Sequence, residues 1–307
     1  MRLALVASLA LAFGVASAAQ AQVNLEIKDR EGSATTRSTA KTHQILSIAG
    51  MDFESTSDTA TTTTSATGKP EADGTVRIRE TIDAFQASLA LPGEIKIAFD
   101  SDKPEAKSDN ADVQGLLDLF HAMKGFTYTL VIGPDHQVRA VEGTEPLKAS
   151  GQGSLAEGVK ERLSPAGMKR IANEGRDVLP GKPVNKGDRW RRTHAMDIGA
   201  GQTLTFENYY EYAGTVEKNG RTLDKIDAFV GGVTYSLDPN SPLPLKLVRS
   251  DLKISSSTGT ILFDREKGQV VETTATTRIA GPITFSVNGQ ELAGKVDLTI
   301  ESGSTVR

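Results

Sequence analysis

Residues 126–141 carry the clearest structural pattern of the chain, Phe126-Thr-Tyr-Thr-Leu-Val-Ile-Gly-Pro-Asp-His-Gln-Val-Arg-Ala-Val141. Apolar or aromatic side chains occupy every second position from residue 126 to residue 132, which is the period of a β-strand. Gly133-Pro-Asp-His136 is typical of a tight turn, because proline fixes φ and aspartate bonds to nearby backbone amides. We therefore predict a β-hairpin in which Val138–Val141 forms the returning strand.

The same two-residue period recurs on both sides of this hairpin, at Val76–Ile82, Ile95–Phe99, Leu204–Tyr212 and Val296–Ile300. The pairs Asn219-Gly220 and Asn288-Gly289 indicate further hairpin turns, since both residue types tolerate positive φ. The pattern predicts a mainly β (α+β) fold with antiparallel sheets in two strand-rich halves and a few helices between them. A curved or half-barrel sheet is compatible with it.

Ser55–Gly68 is unusually rich in threonine. A flexible linker is one interpretation. Threonine is β-branched, however, and favours an exposed strand over coil. We therefore predict an edge strand that pairs with Thr75–Ile82 through the polar turn 68–74.

Helical periodicity is confined to the middle of the chain. A stripe of apolar residues predicts a helix that packs on a sheet, with Asp109 or Asn110 as its N-cap; the stripe comprises Val113, Leu116, Leu117, Phe120 and Met123. Two further helices are predicted at Leu155–Leu163 and from Ser164 to about Glu174. The resulting organisation is a signal peptide at 1–21, an N-terminal β-rich half with one packing helix at 22–150, a helical connector at 151–180 and a C-terminal β-rich half at 181–307.

The first 21 residues have the features of an export signal. Arg2 precedes an apolar run that is too short for a stable membrane anchor, and Ala19-Gln-Ala21 matches the small-x-small pattern of a cleavage site. We predict cleavage near Ala21 and a periplasmic or secreted protein. No later segment is apolar enough to anchor the mature chain in a membrane, and with no cysteine it can form no disulfide.

Charge and motif content argue against several functional classes. Without Arg2, 34 basic residues stand against 39 acidic ones, a net charge of −5, which disfavours a nucleic-acid surface. Gly151-Gln-Gly153-Ser-Leu-Ala156 has the letters of a dinucleotide fingerprint but follows no buried strand. The four histidines lack metal-ligand spacing, and the acidic residues between Asp100 and Asp112 fit no twelve-residue calcium loop. We therefore predict no catalytic residues, no metal and no cofactor.

Arg189-Trp190-Arg191 is the most distinctive polar stretch and contains the only tryptophan. An anion or glycan contact is one interpretation, because guanidinium groups and an aromatic platform recognise such ligands. A core tryptophan at the start of a strand is the favoured one, because tryptophan is usually highly buried. Arg189, Trp190 and Arg191 remain the candidate ligand contacts.

The order of several short motifs resembles a family of exported bacterial proteins that is classified only as a domain of unknown function. These motifs are Phe99-Asp-Ser-Asp102, Gly125–Val141 followed by Glu142-Gly143, Leu179–Val184, Gly187–Trp190, and Ile261–Asp264 with Gly268. The resemblance implies an exported β-rich fold and no known activity or binding residue.

Two functional hypotheses follow. The first is a non-enzymatic exported cell-envelope protein that acts as a binding or interaction module for an envelope protein or a glycan. The alternative is a periplasmic carrier of an apolar ligand or lipid. A module needs a solid core and an exposed patch, whereas a carrier needs an unfilled apolar cavity.

Overall fold

The computed structural model describes residues 22–103, 106–199, 201–241 and 243–307. The predicted signal peptide, residues 1–21, lies outside the described residues. The structure is 59% strand and 13% helix, and its strands pair antiparallel, which confirms the predicted fold class. Among the helices formed by the described residues, none combines the length and the apolarity needed to cross a membrane.

The strands fall into two series along the chain, one before residue 143 and one after residue 188. The first series is β1 (Gly32–Ile48), β2 (Met51–Thr67), β3 (Val76–Leu91), β4 (Ile95–Asp100), β5 (Thr127–Ile132) and β6 (Val138–Glu142). The second series is β7 (Arg189–Gly199), β8 (Gln202–Lys218), β9 (Arg221–Leu237), β10 (Lys246–Ser250), β11 (Lys253–Asp264), β12 (Gln269–Val287) and β13 (Gln290–Val306). The helices are α1 (Ala111–Met123), α2 (Glu145–Ala149), α3 (Ser154–Arg162) and α4 (Pro165–Arg176).

All of these strands belong to one sheet. Its order is β6-β5-β3-β2-β1-β13-β12-β11-β9-β8-β7, with β4 paired to β3 and β10 paired to β12. The two predicted strand-rich halves are therefore joined edge to edge, through a register in which Thr36 lies opposite Val306 and Ile48 lies opposite Gly294. We call the end of the sheet at which β1 and β3 begin its upper end.

The threonine-rich segment forms β2, and its predicted pairing with β3 is confirmed. The prediction that it is an edge strand is wrong, because β1 pairs along its other side over residues 51–67. Every residue of β1 and β2 keeps at least partial solvent exposure. The physical reason is that a strand with polar side chains on both faces resembles an edge strand in sequence, wherever it lies in the sheet.

Helix α1 packs on one face of the sheet through its predicted apolar stripe. Asn110 is its N-cap, and the Asn110 side chain accepts hydrogen bonds from the amides of Asp112 and Val113. Phe120 packs against Phe85 and Phe99, with ring centroids 5.0 and 5.5 Å apart. We call the face of the sheet that α1 covers the inner face, because the three largest hydrophobic clusters lie on it.

Helix α4 lies between the two ends of the sheet. The Asn173 side chain accepts a hydrogen bond from the Val138 amide at 2.7 Å and donates one to the Val138 carbonyl, on β6. The Arg170 guanidinium donates to the Ala195 carbonyl, on β7. Because β6 and β7 end the strand order at opposite sides and both contact α4, the sheet must curve around its inner face. It does not close into a barrel.

Residues 22–31 cross the upper end of this curved sheet, and we call them the N-terminal strap. Val23 and Val184 exchange two backbone hydrogen bonds of 2.9 Å, and the Lys28 amide donates to the Gly268 carbonyl. Asp29 then binds Arg176 of α4 at 2.7 Å and His136 of the β5–β6 turn at 2.8 Å. The strap thus connects the segment before β7, the β11–β12 turn and α4.

Asp29 is the most deeply buried acidic residue of the strap. Its side chain is 6% exposed. Burial alone would raise the pKa of Asp29, but the bonds from Arg176 and His136 outweigh it and lower that pKa below its ordinary value. A carboxyl with a lowered pKa stabilises the folded state above its unfolded pKa, and this contribution is lost as the pH falls through the folded value.

We expect Asp29→Asn to reduce the free energy of unfolding by about 3 kcal/mol at neutral pH, because it leaves the buried Arg176 without its counter-ion. The measurement is urea unfolding followed by circular dichroism. Asp58→Asn is the matched control, since Asp58 pairs with Lys41 at an exposed position and its loss should cost less than about 1 kcal/mol. The difference between wild type and Asp29→Asn should shrink below about pH 4. Equal losses in the two variants at neutral pH would contradict the role given to Asp29.

Candidate functional site

A cavity of about 560 Å³ lies between the inner face of the sheet and the helices, and we call it the inner cavity. The sheet contributes Ser57, Thr59, Glu80, Ile82, Phe85, Leu89, Tyr128 and Leu130, and Phe126 precedes β5. The helical segment contributes Phe120, Met123, Val159, Arg162, Leu163, Met168, Ile171 and Ala172. Most of these side chains are apolar, so the cavity offers an apolar interior with a small number of polar groups.

The gap exists because the two walls differ in side-chain size. The β3 and helix walls present phenylalanine, leucine and methionine, whereas β2 presents the small hydroxyl side chains of Ser57 and Thr59. In the register, Thr59 lies opposite Ala87 and Ser57 opposite Leu89. The small polar residues of β2 leave space that no neighbouring side chain fills.

Tyr128 and Glu80 form the polar pair in the wall of the inner cavity. The Tyr128 hydroxyl donates to Glu80 Oε2 at 2.6 Å, which satisfies the half-buried carboxylate. Burial, together with the adjacent Glu80 carboxylate, raises the pKa of Tyr128 well above its ordinary value. Tyr128 therefore stays a phenol across the neutral range, and its bond to Glu80 leaves no unpaired hydroxyl in the apolar wall.

The mouth of the inner cavity is formed by residues of α3 and α4. Ile171 is 47% exposed although it belongs to the cavity lining, so the opening presents an apolar side chain to solvent. Arg162 lines the same opening, and its guanidinium makes no ion pair with another described residue. The mouth thus combines apolar surface with one cation that is not neutralised.

The structure separates the three candidate ligand contacts predicted from the sequence. Trp190 is buried on the inner face, stacks on Tyr210 with ring centroids 5.7 Å apart, and donates its Nε1–H to the Val178 carbonyl at 2.9 Å. Arg189 and Arg191 are exposed on the opposite face, where Arg189 pairs with Glu211 at 2.7 Å. The Trp190 ring is therefore a core side chain and does not share a face of β7 with Arg189 and Arg191.

The other polar motifs have structural partners. Gly151 and Gly153 have φ values of 68° and 91° and pack closely on α1; they follow α2, so no strand feeds this turn as a dinucleotide site requires. Asp100 and Asp102 pair with Lys103 and Lys124. In the part of the chain that the structure describes, which leaves out Glu105, no group of three or more histidine or acidic side chains could hold a metal.

Residues 73–224 match the model of DUF6263, a family of unknown function. The resemblance to a family of unknown function is thereby confirmed, and the match contains β3–β8, all four helices and most of the lining of the inner cavity. The DUF6263 match leaves out β1, β2 and β10–β13 of the sheet.

No curated protein matches the chain. Similar solved structures include one described as lipid–protein interactions in lipovitellin, with 8% identity and a TM-score of 0.41; the alignment covers 91% of this chain and 25% of lipovitellin. OccK5 (OpdH) from Pseudomonas aeruginosa has 9% identity and a TM-score of 0.24, over 90% of this chain and 98% of that one. A DUF1329 family protein from Desulfovibrio piger has 7% identity and a TM-score of 0.12, over 87% and 84%. This chain spans a quarter of the length of lipovitellin, and because every TM-score is below 0.5, none of these likenesses bears on function.

The sequence alone did not reveal the inner cavity. Its lining comes from β2, β3, β5, α1, α3 and α4, which are spread over more than a hundred residues. The stripe on α1 predicted a packing surface, and it gave no sign that part of this surface faces unfilled space. The one available signal is the contrast between a threonine-rich strand and phenylalanine-rich neighbours.

Four of the five tyrosines should titrate late in the folded protein. Burial raises the pKa of Tyr210, Tyr212 and Tyr235 to about 12 and that of Tyr128 further. We expect spectrophotometric titration to show at most one phenolate at about pH 11, and all five after unfolding in denaturant. Because folding raises these pKa values, the buried neutral phenols stabilise the folded state in full below about pH 10. This contribution declines as the pH rises through 12. Ionisation of several tyrosines near pH 10, with circular dichroism unchanged, would show that these side chains are not buried.

Proposed function

We propose that this protein is an exported, non-enzymatic carrier that holds an apolar chain in the inner cavity. The observation that carries the proposal is the unfilled space of about 560 Å³ between the helices and the sheet. Protein sites for small ligands occupy roughly 300–1,000 Å³, are mostly apolar and contain a few placed polar groups. The inner cavity has these properties, and the export signal predicted at residues 1–21 supports a carrier that acts in the cell envelope.

The composition of the walls supports an alkyl or acyl chain as the ligand. Phe85, Phe120 and Phe126 surround the cavity together with aliphatic side chains, and the Tyr128–Glu80 pair is already satisfied. Burying one methylene group in such surroundings contributes about 0.8 kcal/mol, which is about fourfold in affinity. A flexible chain can follow an irregular lining better than a rigid polar molecule can.

The mouth supports entry from solvent. Ile171 is exposed although it lines the cavity, and α3 and α4 contribute further lining side chains. An exposed aliphatic side chain beside an apolar cavity gives a ligand a continuous apolar path from the surface to the interior. The carrier hypothesis therefore accounts for an exposed residue that core packing does not explain.

The interaction-module hypothesis rests on a different surface. The outer face of the sheet is the one opposite to the inner face. On it, Phe229 is 44% exposed and stacks on Tyr209 with ring centroids 5.3 Å apart. Arg191 lies opposite Tyr209 in the register, so an arginine and two aromatic rings share this patch. Such a combination suits a glycan or an anionic partner, and it becomes the leading candidate if the inner cavity binds nothing.

Affinity should rise with chain length if the inner cavity holds an alkyl chain. We expect isothermal titration with saturated alcohols of 8, 10 and 12 carbons to show a gain of about fourfold per methylene until the cavity is filled. A longer series should then reach a plateau, because further methylenes remain in water. Affinity that is independent of chain length would contradict the carrier proposal.

Filling the cavity from α4 should remove binding without unfolding the protein. We expect Ala172→Phe to weaken alcohol binding by at least tenfold, because the added ring occupies the space beside Met168 and Leu130. Ala166→Phe is the matched control, since Ala166 is exposed on the same helix and does not line the cavity. The thermal midpoints of both variants provide the check on folding. Equal affinities in Ala172→Phe and Ala166→Phe would locate the ligand elsewhere.

A further inference from the structure

A second cavity of about 490 Å³ lies at the upper end of the sheet, and we call it the upper groove. Its wall includes the N-terminal strap from Ile27, the beginning of β1 and the β11–β12 turn. It also includes Ile78 of β3 and the end of α4, at Gly175 and Arg176.

The upper groove and the inner cavity lie end to end. On β3, Ile78 of the upper groove and Glu80 of the inner cavity are alternate residues, so their side chains share one face of the strand. On α4, Gly175 and Arg176 follow Ile171 and Ala172 by one turn, which places them on the same side of the helix. Two independent elements thus run from one cavity directly into the other.

The upper groove is strongly cationic. Its lining contains six basic side chains, Lys28, Arg30, Arg176, Arg221, Lys267 and Arg307, and two acidic ones, Asp29 and Glu31. Arg176 is neutralised by Asp29, and Arg221 pairs with Asp264. The side chains of Arg30 and Lys267 make no hydrogen bond or ion pair with any described residue. The groove therefore keeps free positive charge, with Glu31 as its one acidic side chain outside the Asp29 pair.

We propose that the ligand is an anionic amphiphile whose acyl chain occupies the inner cavity and whose phosphate or carboxylate head lies in the upper groove between Arg30 and Lys267. This inference rests on the proposed carrier function and specifies its ligand class. Guanidinium and ammonium groups bind such heads through charge-assisted hydrogen bonds. The apolar wall next to the groove strengthens this attraction, because charges beside a low-dielectric surface are screened less.

The opposite orientation would place the head at Arg162, at the mouth of the inner cavity. That opening offers a single cation, and its neighbours Leu163, Met168 and Ile171 are apolar. The upper groove offers two cations without a partner on two separate segments, Arg30 on the strap and Lys267 on the β11–β12 turn. A head bound there would also contact the strap, so ligand binding would hold residues 27–31 against the sheet.

The test compares two ligands that share one acyl chain, 1-palmitoyl lysophosphatidic acid and 1-monopalmitoyl glycerol, below their micellar concentrations. We expect the wild type to bind the phosphate ligand on the order of tenfold or more tightly. The double variant Arg30→Gln, Lys267→Gln should lose this preference and keep its affinity for the neutral ligand. Inorganic phosphate alone should show no measurable binding, because the head lacks the contribution of the chain.

Controls separate this proposal from simpler explanations. Arg79→Gln, Lys246→Gln removes the same two charges from exposed positions that line neither cavity, and it should keep the preference. Loss of the preference in Arg162→Gln, with the upper-groove variant unchanged, would overturn the proposed orientation. Equal binding of both ligands by the wild type would overturn the anionic head while leaving the carrier function intact. Absence of binding for both ligands would overturn the carrier function itself.

Discussion

The curved sheet depends on how its two outermost strands are covered. An exposed strand edge presents unpaired amides and carbonyls that favour pairing with other chains. Here one helix serves both edges: Asn173 satisfies the amide and the carbonyl of Val138 on β6, and Arg170 binds the Ala195 carbonyl on β7. Because α4 holds both edges at once, the sheet is forced to bend, and the bend creates an interior. The strap reinforces it through the buried Asp29–Arg176 pair.

The interior is unevenly filled, and the reason lies in the residue types of the strands. Aromatic and aliphatic side chains concentrate at β3–β6 under the helices and at β7–β12, whereas half of the residues of β1 and β2 are serine or threonine. Hydroxyl side chains are too small to meet the opposite wall and too polar to form a dry core. The result is an apolar cavity beside which a cationic groove lies at the upper end of the sheet. This arrangement is the physical basis for the proposed amphiphile.

The individual helices, strands and turns were largely predictable from the sequence, whereas the pairing of distant strands in the sheet was not. The hairpin around Pro134, the Asn110 cap and the apolar stripe of α1 follow from periods and caps that span fewer than twenty residues. The burial of Trp190 was predicted from the usual burial of tryptophan side chains. The pairing of β1 with β13 and the interior position of β2 depend on partners far away in the chain, which a local period does not encode. The same holds for both cavities, whose walls meet only after the sheet has curved.

The pairing of β1 with β13 also has a kinetic consequence. About 250 residues separate the two strands, so their contact belongs to the slowest class, in which a long loop must close before any stabilisation is gained. The chain emerges from a ribosome or a translocation channel with its N-terminus leading. The polar strands β1 and β2 are then exposed long before β13, the partner of β1, is present. The serine and threonine side chains of β1 and β2 keep this segment soluble and leave little apolar surface exposed before β13 is present. The serine and threonine residues that leave the cavity unfilled in the native state therefore also protect the nascent chain from aggregation until β13 can pair with β1.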